Sequence, residues 1–426
     1  MKLLLTTLLF CAYLGIKAQD TGIKFQNSLN WAQLKEKAQK ENRYIFVDCY
    51  TTWCGPCKVM AKEIFPLPEV ADFFNENFIS VALQFDKTKK DDADTKRWYR
   101  DVESIEKKYQ VNAYPTYLFF NPQGMLVHTI IGGSPDGKTF VTKAKQALDP
   151  KTQLTNLKKQ YAAGDRSQEF LLFFINALGM SWDDQVTEVI NVYLPTQKNL
   201  LTKENLEFIA RATQKSTDPG FKIVKDHAKE LDAVTGIGRS KGIITDVAFD
   251  EIVLPMIRIN GAKVTRAGGM YYYTGDLNKN VNWEEVKLKL QAQYPQLANE
   301  ILATSKVRYA RDLNNWPKFT EAVDAFMAAY GDAQHADQIN AYANDIFLFS
   351  DDKKCIEKAR GWSKQILDLL PADERDGYII TYANLLIKLG KKDEALAIAD
   401  EGINRLGDKA DEFKDLRDRI NKVEKN

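Results

Sequence analysis

Two cysteines three positions apart, Cys54 and Cys57, stand in the run Trp53-Cys54-Gly55-Pro56-Cys57-Lys58. The apolar stretch Tyr44-Ile45-Phe46-Val47-Asp48-Cys49-Tyr50 precedes them, and a helix-compatible stretch, Val59 to Phe65, follows. A strand, a short turn and a helix put Cys54 at a helix N-terminus. Unpaired N–H groups and the helix dipole stabilise a thiolate there, and the thiolate is the nucleophile of disulfide exchange. Cys57 falls one helical turn on, within reach of a mixed disulfide formed at Cys54. Zinc sites also use a Cys-x-x-Cys pair, but a four-thiolate site needs a second one. The remaining cysteines, Cys11, Cys49 and Cys355, form none, and His128, His227 and His335 are too scattered for a two-cysteine, two-histidine site. The expectation is redox chemistry by the Cys54–Cys57 pair itself, with no metal and no other cofactor.

Val47-Asp48 through Lys58 resembles the active-site segment of the thioredoxin family, with Trp-Cys-Gly-Pro-Cys-Lys unbroken. Asp48, six residues before Cys54, stands where that family has a buried aspartate. The resemblance implies that Asp48 takes the proton from Cys57 during resolution. From the residues alone, a carboxylate inside an apolar strand is either a proton acceptor with a raised pKa or a hydrogen-bonded structural group. Tyr114-Pro115-Thr116 resembles the family's cis-proline loop, and Gly132-Gly133 its glycine turn beyond the last strand. The implied substrate groove comprises Trp53, Gly55, Pro56, Tyr114, Pro115, Thr116 and Gly132, and the implied substrates are proteins with disulfides. Two positions depart from the pattern. Val81-Ala82-Leu83 stands where the family has a lysine partner for the aspartate, and Lys62 stands near its helix-kinking proline. The resemblance covers residues near 25 to 148.

With 426 residues the chain is long enough for two or more domains. Lysine and arginine total 59 against 58 acidic residues, a balance that points away from nucleic acid or an anionic membrane surface. The first residues read as a targeting segment over 1–18. Lys2 gives a positive start, Leu3 to Ile16 an apolar run short for a membrane span, and Ala18 a small residue before Gln19. Cleavage is expected after Ala18 or after Gln19; Phe10 is too bulky for a lipoprotein site at Cys11. The mature chain is expected to be exported, periplasmic and without a transmembrane segment. A disulfide-stapled secreted fold uses more cysteines in a shorter chain, so one chemically spaced pair favours catalysis over stapling.

The elements that must position the pair follow in order. Asn30 can cap a helix from Trp31 to about Asn42. Tyr44 to Tyr50 reads as a strand buried on both faces. Glu69 to Asn77 reads as a helix and Phe78 to Phe85 as a second strand. Lys87 to Asp101 is densely charged and reads as a solvated extension feeding a helix to Tyr109; a rim contact for substrate through Trp98 and Tyr99 is the other reading. Thr116 to Phe120 and Met125 to Ile131 pair around Asn121-Pro122-Gln123-Gly124, and Pro135 to Leu148 is a closing helix. This is an α/β thioredoxin-like domain over 19–150, a mixed sheet covered by helices. By alternation Cys49 lies on the strand face opposite Asp48, as a small core residue.

Beyond Asp149-Pro150 helical patterns dominate, giving a mostly α-helical domain over 151–335. Tyr271-Tyr272-Tyr273 within it reads as packing between helices unless it is exposed. Residues 336–426 carry a repeat with an offset of 40: Tyr342-Ala343-Asn344 recurs as Tyr382-Ala383-Asn384, Cys355 matches Ala395 and Ala359 matches Ala399. Each unit reads as two helices joined at Asp351-Asp352 or Gly390-Lys391. These helical pairs resemble tetratricopeptide repeats. The whole reads as an exported thiol–disulfide oxidoreductase. Gly55-Pro56 resembles reducing members, which implies a disulfide reductase fed by a membrane electron donor, with the helices assisting partner choice. The alternative is a helical-repeat scaffold or binding protein whose thioredoxin-like domain serves recognition.

Overall fold

The computed structural model describes residues 22–265, 271–407 and 410–422. The expected targeting segment, with Cys11 and its cleavage position, lies outside the described residues. The chain divides into two compact units. Among the described residues, one takes those up to Thr213 with Thr217–Gly236, Thr265 and Tyr271; the other takes Gln214–Ser216, Ile237–Val264 and those from Tyr272 onward.

The first unit is built on four strands, β1 (Tyr44–Tyr50), β2 (Phe78–Gln84), β3 (Thr116–Phe120) and β4 (Leu126–Ile131), in the spatial order β2-β1-β3-β4. β2 is parallel to β1, while β3 is antiparallel to both β1 and β4. β1 is therefore an inner strand covered on both faces, and Ile45 through Cys49 are all buried. That double burial is why it reads as an almost continuous apolar run. Phe46 faces a layer made by α2 (Gly55–Val59), a π-helical turn over Met60–Ile64, α3 (Pro68–Asn77) and α5 (Gly137–Lys145). Met60, Ile64, Phe65, Phe74 and Phe140 pack there around Phe46 and Tyr117. Ile45, Val47 and Cys49 face the other layer, where α1 (Trp31–Glu41) and α4 (Ala93–Tyr109) supply Leu34, Ala38, Trp98, Val102 and Ile105. Complete burial of one large side chain of this kind is worth roughly 1.5–3 kcal/mol, so the two layers fix β1 firmly.

Local chemistry sets the element ends. Asn30 and Gln33 form a reciprocal capping box at the start of α1. Asp92 accepts the Thr95 N–H and starts α4 earlier than the charge density of 87–101 suggests. Trp98 is a core residue whose indole N–H donates to the Asn27 carbonyl at 3.0 Å, so it is not a rim contact.

The sheet does not end at an open edge. α6 (Leu154–Ala162) and α7 (Gln168–Met180) pack against β4. His128 of β4 is buried, and its Nδ1 accepts the Leu154 N–H at 3.2 Å. Thr155 Oγ1 donates to the Val127 carbonyl, and Gln153 Nε2 to the Ala147 carbonyl. The chain thus passes Asp149-Pro150 inside the first compact unit, and α8 (Gln185–Tyr193) and α9 (Lys203–Ala212) continue it.

The second unit is mostly helical. Short strands lie between Arg258 and Leu277, inside the stretch that the sequence reads as mostly helical. Tyr271–Tyr273 forms one of them, rather than a wedge between helices; Tyr272 is 44% exposed, whereas Tyr273 rests on Phe249 and donates to Asp250. Helices Ala298–Asp312, Trp316–Tyr330, Ala336–Phe349, Lys353–Leu369, Asp376–Lys388 and Lys392–Leu406 follow as adjacent pairs. Ala343, Ala359, Ala383, Ala395 and Ala399 are completely buried, so small side chains at the matched positions let neighbouring helices approach. One apolar cluster runs from Val307 to Leu385 across residue 336 without a break.

Burial pushes the His128 imidazole down to about 4. The unfolded chain then binds more protons than the folded one between about pH 4 and 6.5, so stability from this group is intact above that window and is lost as pH falls through it. His128→Asn keeps an acceptor for the Leu154 N–H and removes the titration. Urea unfolding should show the wild type losing roughly 2–3 kcal/mol more than His128→Asn between pH 7 and pH 4.5; equal losses would show that His128 is not the titrating contact.

Candidate active site

The end of β1 feeds the turn that presents the cysteines. Asp86, just past β2, accepts the Thr52 N–H at 2.9 Å and also the Thr52 hydroxyl. The Cys54 N–H donates to the Thr51 carbonyl at 3.2 Å. Two strands thereby hold the residues ahead of the first cysteine. Pro56 lies in the first turn of α2, where its fixed φ suits the helix and its missing N–H leaves no bond unmade. Cys54 is the N-cap, with extended backbone, and its Sγ accepts the Cys57 N–H at 3.1 Å. Cys54 and Cys57 are joined as a disulfide, with Cα atoms 5.3 Å apart. Only 3% of Cys54 and 6% of Cys57 is exposed, so a substrate must enter a groove to reach either sulfur.

The two sulfurs are inequivalent. A donor at the helix start faces Cys54, which favours a thiolate there on reduction. Cys57 instead lines a cavity of about 350 Å³ together with Asp48, Ala61, Phe65 and Ala82. Asp48 is 6% exposed, and its Oδ1 is buried without a hydrogen-bond partner. The pairing register sets Ala82 of β2 and Tyr117 of β3 on either side of it. Ala82 occupies the place where the family resemblance implies a lysine, and a methyl group offers no counter-charge. Burial alone pushes the Asp48 carboxyl up to about 7. The Oδ1 atom lacks the hydrogen bond that a bonded structural aspartate would make. Cys49, one residue on, faces the opposite layer; burial first and then the Asp48 charge push its thiol well above its usual range. Cys355 is likewise buried and its thiol raised. Both are poor nucleophiles.

Three loops meet around the pair. The Tyr114–Pro115 peptide is cis, and the Tyr114 ring meets the Trp53 ring edge-on with centroids 5.9 Å apart. Trp53 is 68% exposed beside a buried cysteine. Gly132 adopts φ +91° and donates its N–H to the Pro115 carbonyl at 2.9 Å. A Cβ added at Gly133 would lie 3.9 Å from Met60 Sδ and 4.0 Å from Pro56 Cβ, so the glycine turn closes on the cysteine helix. The Ser134 N–H completes the seam, reaching Met60 Sδ at 3.2 Å. Gly55 and Pro56 are exposed at the helix start, whereas Thr116 is buried and its hydroxyl donates to the Ala113 carbonyl. Thr116 therefore shapes the loop and offers a substrate no side-chain surface. The structure brings the other expected groove residues together. Asp86 and Met60 went unnoticed in the sequence: one is an ordinary acidic residue after a strand, the other an ordinary apolar helix residue. The helix lacks a kinking proline, and a π-helical turn over Met60–Ile64, containing Lys62, interrupts its regular winding instead. Among the described residues no group of three or more histidines, cysteines or carboxylates could hold a metal, and no helix is long and apolar enough to cross a membrane.

Residues 32–148 match the family described as the thioredoxin-like domain. Thioredoxin Asp f 29 of Aspergillus fumigatus is 29% identical over 113 residues, which is 26% of this chain and 87% of that protein. A thioredoxin of Neurospora crassa is 32% identical over 106 residues, 25% of this chain and 64% of that protein. The solution structure of a candidate disulphide-isomerase from Bacteroides thetaiotaomicron is 34% identical and covers 31% of this chain and 98% of its own, with a TM-score of 0.26.

The unpaired carboxylate has a consequence for stability. Its folded pKa of about 7 lies above the unfolded value, so stability from this group is full below about pH 4 and is lost as pH rises through 7. Asp48→Asn removes the loss. In urea unfolding of the oxidised protein the variant should match the wild type near pH 4 and exceed it at pH 8, by up to roughly 4 kcal/mol. Equal curves at pH 8 would mean that Asp48 is ionised at no cost.

Proposed function

From an N-terminal domain that belongs to the thioredoxin-like family, we propose that this chain is an exported reductase of protein disulfides whose helical region assists partner choice. The domain is a thiol–disulfide oxidoreductase of the kind that acts on protein disulfides. In the reductive direction the Cys54 thiolate attacks one sulfur of a substrate disulfide. A Cys54–substrate disulfide forms, and the first substrate sulfur leaves as a thiolate that takes up a proton. Cys57 then passes its proton to the Asp48 carboxylate and attacks Cys54 Sγ. The Cys54–Cys57 disulfide forms, and the second substrate sulfur leaves and is protonated. The substrate gains two electrons and two protons, and a dithiol donor must return them to the enzyme. We assign that role to a membrane electron relay.

The observation that carries the reading is the shared cavity of Cys57 and Asp48, whose carboxyl at about 7 can accept a proton near neutral pH. The reductive direction rests on Pro56. It carries no charge and no N–H toward Cys54, so little favours the dithiol form over the disulfide. Export rests on Lys2 and the apolar run Leu3 to Ile16. Partner choice rests on the stacked helical pairs, an architecture suited to extended binding surfaces.

Equilibration of the full chain with dithiol and glutathione buffers tests the direction. The potential should lie nearer the roughly −270 mV of thioredoxin than the roughly −120 mV of strong periplasmic oxidases. A value near the latter would make the chain a disulfide donor. Asp48→Asn should slow release of a trapped mixed disulfide by roughly a hundredfold at pH 7; release at the wild-type rate would remove Asp48 from the proton path.

A further inference from the structure

We propose that Trp182, carried by the turn between α7 and α8, is a specificity-determining residue of the substrate groove. It offers an aromatic platform to the polypeptide that flanks the target disulfide. The inference rests on the oxidoreductase reading above and adds to it a residue from outside the 32–148 domain.

Position is the first observation. A Cβ added at Gly132 would lie 3.7 Å from Trp182 Cζ2. Gly132 is the residue whose N–H is bonded to the Pro115 carbonyl, next to the cis peptide. The indole therefore borders the glycine turn, one hydrogen bond from the cis-proline loop. Trp53 borders the same loop through Tyr114. Two tryptophans from distant parts of the chain thus adjoin the residues on which a bound polypeptide would lie.

The backbone is the second observation. Trp182 adopts φ +48°. It occupies the first position beyond the cap of α7, where its N–H donates to the Gly179 carbonyl at 3.3 Å and the Asp183 N–H to the Leu178 carbonyl at 3.0 Å. This two-bond helix ending is usually built on glycine, because a side chain in the left-handed region costs roughly 1–2 kcal/mol. A bulky residue there is an outlier. Core burial does not offset the strain in full, since 42% of Trp182 stays exposed. A side chain held out of the core at a position made for glycine points to a job on the surface.

Rigidity is the third. Asp183 pairs with Lys158 of α6 and accepts the Gln185 N–H, while the buried Ser181 hydroxyl donates back to the Leu178 carbonyl. α6 in turn is tied to β4 through His128 and Leu154. The indole is thereby held in a fixed place relative to the sheet that carries Gly132. A pre-set aromatic surface of this kind serves apolar or aromatic side chains of an extended segment. A small disulfide has no flanking residues to meet it.

The test uses the full chain with a dithiol donor and two substrates, insulin and bis(2-hydroxyethyl) disulfide. Trp182→Gly suits the left-handed backbone and should melt no lower than the wild type. The ratio of kcat/KM for insulin to that for the small disulfide should fall roughly tenfold, carried by KM rather than kcat. Trp182→Phe should restore most of it. A ratio unchanged in Trp182→Gly would overturn the inference, as would a parallel loss on both substrates or a drop in kcat alone. A wild type that reduces neither substrate would instead overturn the oxidoreductase reading itself.

Discussion

A carboxylate with no partner, buried beneath a disulfide, can be kept in place only by the apolar structure around it. Asp48 has Ala82 on one neighbouring strand and Tyr117 on the other. Neither supplies a charge, and Oδ1 is bonded to nothing. The arrangement survives because β1 is packed on both faces, by the Phe46 cluster on the side of Asp48 and by the Val47 cluster on the other. The strand that stores this unfavourable charge is also the strand that delivers Cys54. An ion pair at Ala82 would have stabilised the ionised form and lowered its pKa. With alanine there, the protonation of the carboxyl is set by burial rather than by a neighbouring charge.

The helices beyond residue 150 bear on that packing. β4 would otherwise present an unpaired edge, a hazard that proteins cover or blunt. Here α6 and α7 cover it, and a buried neutral histidine joins the two parts. The same helices carry the turn holding Trp182 to the glycine loop. The extension is therefore part of the compact unit that carries the active site, and the catalytic domain is more than the segment matched to the thioredoxin-like family.

Much of the site was legible because its residues leave local marks. The hexapeptide around Cys54, the apolar run with one carboxylate at Asp48, the capping residue Asn30, and the Asn121–Gly124 turn each follow from short-range chemistry. The misreadings are of another kind. Residues 87–101 are largely exposed, as their charges suggest, but the linear reading missed that Trp98 joins Val102 and Ile105 on one apolar face of α4. The tyrosine triplet has no period that separates a strand from a helix wedge. Asp86, Met60 and Trp182 became visible only in three dimensions, because each acts on a loop distant from it in sequence. A tryptophan one position past a helix end carries no sequence signal of its own, since its significance lies in the sign of φ.

The division of labour that results has a physical logic. A buried carboxyl needs a fixed support, and β1 with its two flanking strands provides one for Asp48. The α7–α8 turn holds a part-exposed indole on a backbone fixed by the Lys158–Asp183 pair and by the bonds that end α7. Both supports meet at one sheet, since α6, which pairs with Asp183 through Lys158, is bonded to β4 through His128. The second compact unit, whose helix pairs meet through alanines at matched positions, has its own apolar cluster.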